Sequence, residues 1–141
     1  MLAFSSVYDN GSFHPGLVFV HERLEGCAVL NVGEVLAEEL AQCDLKSSAL
    51  PMVAYDVLKE ILDENVHVND RGEKYLVIEN LSILFEQQLA LDVELLFRSY
   101  SRSVLLVIVT DYPIENGYFR PFGDSSDLKV NLDGIRYSEK F

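Results

Sequence analysis

Polar residues follow four apolar runs in this chain, and their types suit cation holding or water orientation. Glu22 follows Leu17-Val18-Phe19-Val20, Asn31 follows Ala28-Val29-Leu30, Glu79-Asn80 follows Tyr75-Leu76-Val77-Ile78, and Thr110-Asp111 follows the run Val104 to Val109. A carboxylate at a strand end holds Mg²⁺ through its waters, and a hydroxyl on the neighbouring strand senses what is bound there. The same residues also serve as ordinary ends of buried strands, which must turn polar on reaching solvent. Glu22, Asp56, Glu79 and Asp111 together have the composition of a metal-dependent nuclease site, but the nearby lysine such a site uses is not apparent. Arg98 and Arg102 close a helical stretch. They have the chemistry of an arginine finger directed at a partner's nucleotide, and equally of cations answering a helix dipole.

The placement of Glu79 and Thr110 resembles the Walker B and sensor positions of P-loop ATPases, but the phosphate cradle is missing. That cradle requires G-x-x-x-x-G-K-[ST], whose amides, lysine and hydroxyl hold phosphates and magnesium. After the first apolar run the chain instead reads His21-Glu22-Arg23-Leu24-Glu25-Gly26-Cys27, with one glycine, no Gly-Lys pair and two carboxylates. No nucleotide, metal or other cofactor is expected, and no residue is assigned a catalytic role. His14, His21 and His67 lack paired spacing, no G-x-S-x-G elbow occurs, and Cys27 and Cys43 have no placed base and read as buried thiols.

Charge narrows the partners. Twenty-three acidic residues against eleven basic ones give a net charge of −12 and a pI near 4.5, which repels nucleic-acid backbones. Direct nucleic-acid binding is not expected. Solubility accounts for such a charge, and so does an acidic surface that docks on a basic partner or imitates DNA. The longest apolar run, Val104 to Val109, is too short for a membrane span, and the start of the chain has no positive stretch ahead of an apolar block. A cytoplasmic protein without membrane association is expected.

The elements that must position these residues follow from apolar spacing. With 141 residues, 49% of them apolar, the chain suits one domain over residues 1–141. Turns are expected at Asp9-Asn10-Gly11-Ser12 and His14-Pro15-Gly16. Buried strands are expected at 17–20, 28–31, 75–78 and 104–109. Helical spacing places Val32, Val35, Leu36 and Leu40 on one side of a helix over 33–42. A second helix starts near Ser48 and Pro51, carries Val53, Val57, Leu58, Ile61 and Leu62 on one face, and stops before Asn69-Asp70-Arg71-Gly72. A third spans Leu89 to Tyr100. Continuous apolar strands alternating with helices predict an α/β fold, a three-layer, mostly parallel sheet with flanking helices, P-loop-NTPase-like but truncated. The tail, 117–141, reads as a hairpin around Asp133-Gly134 or an edge strand.

Three segments carry a family resemblance: Leu30-Asn31-Val32-Gly33-Glu34-Val35-Leu36-Ala37-Glu38-Glu39-Leu40, Tyr75-Leu76-Val77-Ile78-Glu79-Asn80-Leu81-Ser82-Ile83-Leu84-Phe85, and Ser101-Arg102-Ser103-Val104-Leu105-Leu106-Val107. In that order they resemble parts of BrxF, the small P-loop ATPase of certain BREX phage-defence systems, over residues 17–110. The resemblance implies a shortened relative with Glu79 in place of the usual Walker B aspartate and only Glu22 to Cys27 where the P-loop and its helix belong. It implies an assembling or regulatory subunit working through protein contacts, as a homo-oligomer or with another protein. Loss of the P-loop helix is expected to uncover one sheet face. An NTPase or nuclease subunit completed in trans, with Glu79, Asp111 and Arg102 contributing, and an acidic DNA-mimic inhibitor are the other readings.

Overall fold

A computed structural model describes residues 15–44, 46–69 and 71–140, together with the backbone of residues 2 and 3. In chain order its strands are β1 (Leu2–Ala3), β2 (Gly16–Val20), β3 (Leu24–Glu25), β4 (Leu30–Asn31), β5 (His67–Val68), β6 (Lys74–Glu79), β7 (Leu105–Val109), β8 (Tyr118–Phe119), β9 (Val130–Asn131) and β10 (Tyr137–Lys140). The α-helices are α1 (Val32–Leu40), α2 (Leu50–Asn65) and α3 (Val93–Ser101). The expected turn at residues 9–12 and the residue His14 lie outside the described residues.

The fold is α/β, built on a mostly parallel sheet in the order β10-β2-β7-β6-β4, with β5 antiparallel to the start of β6. Its three central strands carry unbroken apolar runs. Register aligns Leu17, Leu106 and Leu76 in one row and Phe19, Ile108 and Ile78 in another, while Val18, Val107 and Val77 alternate to the opposite face. All nine are almost wholly buried, as expected for parallel strands covered on both sides.

The covering layers are unequal, which departs from the expected three layers. All three α-helices pack with Leu17, Phe19, Leu76, Ile78, Leu106 and Ile108 on one face. The other face, including Val18, Val20, Val77, Leu105 and Val107, is closed among the described residues by Leu24 and by Cys27, Val29 and Tyr75, with no described helix on it. Handedness explains the division. The connections β4 to β6, β6 to β7 and β7 to β10 all step across the sheet in one direction, so right-handed crossover puts them on one face. The connection from β2 to β4 steps the opposite way and must cross on the other face, where Leu24, Cys27 and Val29 lie. The expected uncovered face is therefore not found: Val20, Val77 and Val107 are 0% exposed.

Element ends differ from the sequence spacing where local chemistry overrides it. The helix expected from Leu89 begins at Val93, because Gln87–Leu89 forms a 3₁₀ turn, Ala90 takes a left-handed φ of 47°, and the Asp92 carboxylate caps the Leu95 N–H at 2.9 Å. Leu89 remains buried beside Val93, Leu96, Phe97 and Tyr100. α2 opens with Pro51 in its first turn and ends at Asn65, four residues before the break expected at Asn69. Asn69 instead shapes the β5–β6 turn by accepting the Arg71 and Glu73 N–H groups. Only Leu30 and Asn31 of the expected 28–31 strand pair with β6. Cys27 and Cys43 are partly exposed free thiols, not buried ones.

The tail forms no hairpin at Asp133-Gly134. β9 turns back on β8, and β10 joins the main sheet as an edge strand parallel to β2. Phe119 anchors this tail: its ring lies 5.1 Å from Phe19 and 6.0 Å from Phe97. Burial of such a ring contributes about 2–3 kcal/mol.

Candidate functional site

In open parallel sheets ligands bind beyond the carboxyl ends of the strands, where successive connections leave for opposite faces. Here that point lies between β2 and β7, since the chain leaves β2 over one face and β7 over the other. The expected candidates Glu22, Asn31, Glu79, Asn80, Thr110 and Asp111 all lie at this end of the sheet, after β2, at the end of β4, and after or at the ends of β6 and β7. β6 and β7 are direct parallel neighbours, with Ile78 opposite Ile108. The acidic end of one thus stands beside the polar end of the other.

The crevice between β2 and β7 is closed from within. His21, the first residue after β2, places Nδ1 3.1 Å from the Thr110 carbonyl and Nε2 2.6 Å from Oε2 of Glu139 on β10. The same Glu139 oxygen accepts the Ile114 N–H at 3.0 Å, and the Thr110 N–H donates to the Val20 carbonyl at 2.9 Å. One histidine thereby ties β2, β7 and β10 together where a phosphate loop would require open amides. Sequence reasoning places no role on His21, and Glu139 carries no signal at all, because its partner is 118 residues away.

The remaining candidates divide into two groups. Arg23 donates to Oε1 of Glu79 at 3.1 Å; with 65% of the Arg23 side chain exposed, this pair contributes little stability. Asn80 sits at φ 61°, a left-handed conformation asparagine tolerates, and its amide donates to Oδ1 of Asn31 at 2.9 Å. Oδ1 of Asn31 also caps α1 by accepting the Glu34 N–H at 3.0 Å. Gly33 is what admits this arrangement, since a Cβ there would stand 2.4 Å from the Asn80 carbonyl oxygen.

Asn80, Thr110 and Asp111 are brought together in a separate cleft of about 400 Å³, walled by Tyr112, Phe119 and Phe122. Thr110 is 9% exposed, and its hydroxyl oxygen accepts the Tyr112 N–H at 3.4 Å. Gly123 adopts φ 68° against the Tyr112 ring, where a Cβ would meet a ring carbon at 2.6 Å, so the turn after Phe122 holds the tyrosine in place. The aromatic wall escapes sequence reading because Tyr112 lies in the loop after β7 and Phe119 and Phe122 in the irregular tail.

Two other constellations weighed from the sequence do not assemble. Among the described residues no group of three or more His, Cys, Asp or Glu side chains is placed to hold a metal ion. Asp56 lies on α2, away from Glu22, Glu79 and Asp111 at the strand ends. Arg102 follows α3 directly ahead of β7, at the opposite end of the sheet from Glu79 and Asp111. Arg98 is spent on Glu94, at 3.0 Å, and on the Asp133 carbonyl, at 2.7 Å. No helix is long and apolar enough to cross a membrane among the described residues. Comparison with protein-family models, with curated proteins and with solved structures finds no match for this chain.

Proposed function

We propose that this chain is a nucleotide-blind relative of P-loop ATPases, a non-catalytic subunit that assembles with or regulates a protein partner in a cytoplasmic phage-defence system. The observation that carries the reading is the closure between β2 and β7. His21 spans from the Thr110 carbonyl to Glu139 in the space a phosphate cradle would occupy, and the following Glu22 and Glu25 bring negative charge to the loop. The adjacency of Glu79 and Thr110 on neighbouring parallel strands supports kinship with the ATPases. The engagement of Glu79 with Arg23 supports loss of the metal role.

Calorimetric titration with ATP and GTP, with and without Mg²⁺, is expected to give no saturable heat. Saturable nucleotide binding that Glu79→Gln abolishes would overturn the proposal and favour a subunit completed in trans.

A further inference from the structure

We propose that the cleft at the carboxyl ends of β6 and β7 receives an arginine side chain from a basic segment of a partner protein. The inference rests on the reading of this chain as a protein-interaction subunit and specifies the chemistry its partner must offer. The cleft is about 400 Å³ in volume, enough for one long side chain but not for a folded element.

Its lining combines what a guanidinium recognises. Asp111 supplies a carboxylate that forms no ion pair with another described residue. Asn80 and Thr110 line the cleft beside it, and Tyr112 and Phe122 supply aromatic walls. A planar, weakly hydrated guanidinium stacks on such rings while donating to a carboxylate, which a compact ammonium does less well. Tyr112 is 41% exposed, so a ring face remains to be covered.

Charge complementarity favours the same occupant. The net charge is −12, and Asp124 is exposed beside the cleft-lining Ser125. An anionic ligand would meet Asp111 with no cation in the lining to offset it, whereas a basic segment is drawn in along the surface before the arginine docks.

The test is an NMR titration of the full chain with two unstructured peptides of equal charge, one with a central arginine among lysines and one with lysine in its place. The arginine peptide is expected to shift the amide signals of Asn80, Asp111, Tyr112 and Phe122 and to bind several-fold more tightly than the lysine peptide. Asp111→Asn is expected to weaken it about tenfold and Tyr112→Ala about threefold, both with thermal melts like the parent's. Asp124→Asn, on the rim but outside the lining, should change affinity less than twofold. Equal binding of the two peptides, equal losses from Asp111→Asn and Asp124→Asn, or an absence of shifts at the cleft in low salt would overturn the proposal. Any of these outcomes with silent nucleotide titrations leaves the interaction-subunit reading standing; saturable ATP binding removes that reading independently.

Discussion

Tyr100 shows how one buried side chain links α3 to α2. Its hydroxyl donates to the Asp63 carboxylate, and burial, followed by that hydrogen bond and the negative charge of Asp63, pushes the phenol well above its ordinary range. A phenol raised in the folded state holds its proton more tightly there than in the unfolded chain. Its contribution is therefore complete below the ordinary phenol value of about 10 and is lost as pH rises through the higher native value. Stability measured by urea unfolding should fall steeply above about pH 10, and Tyr100→Phe should flatten that fall while costing about 1 kcal/mol at neutral pH. An unchanged alkaline slope in the variant would remove Tyr100 as its source. At this scale sequence spacing is informative in part. It puts Tyr100 on the buried stripe of its helix, because apolar periodicity reports burial. The partner Asp63 is one of several acids on α2, and nothing in its spacing distinguishes it.

Helix starts belong to the next scale. α1 and α3 share one device, an Asx cap, with Asn31 accepting the Glu34 N–H and Asp92 accepting the Leu95 N–H. Removing such a cap costs about 1 kcal/mol. Asn31 also accepts from the Asn80 amide, so Asn31→Ala unties β6 from α1 as well as uncapping the helix. Chemical denaturation should show Asn31→Ala destabilising by about 2 kcal/mol against about 1 for Asp92→Ala; equal losses would mean that the link to Asn80 adds nothing. Strands 17–20, 75–78 and 104–109 are legible because each is an unbroken apolar run bounded by polar residues. β10 is legible only as the edge-strand alternative for the tail, and β5 is not. Each is a short edge strand with exposed positions, and pairing by backbone alone leaves little apolar pattern to read.

For the whole molecule, the α/β class follows from the run-and-helix alternation, while the allocation of layers does not. Which face a connection covers depends on the direction in which it steps across the sheet, and strand order leaves no mark in local sequence. The cleft is half-legible for the same reason. Asn80, Thr110 and Asp111 end recognisable strands, but Tyr112 sits in the loop after β7 with no pattern to mark it, and Phe122 arrives from a tail whose path is set by Phe119 packing against Phe19 and Phe97. The net charge of −12 acts at this scale too. Self-repulsion opposes compaction and is screened by salt. Raising NaCl from about 20 to about 200 mM should lift the melting temperature by about 2–4 °C, the shift corresponding to roughly 1 kcal/mol. A melting temperature that falls would mean that attractive pairs such as Arg23–Glu79 outweigh the repulsion.

β2 carries a consequence for how the chain reaches this state. It sits between β7 and β10, and the residues opposite Leu17 are Leu106 on one side and Tyr137 on the other. Neither partner is near in sequence, so no hairpin or adjacent crossover can shelter this apolar strand early. Bringing such distant segments together carries a loop-closure cost before any pairing rewards it. Gly16–Val20 is therefore the stretch that waits longest for shelter while the chain folds, a sticky segment that a holding chaperone would recognise before its neighbours arrive.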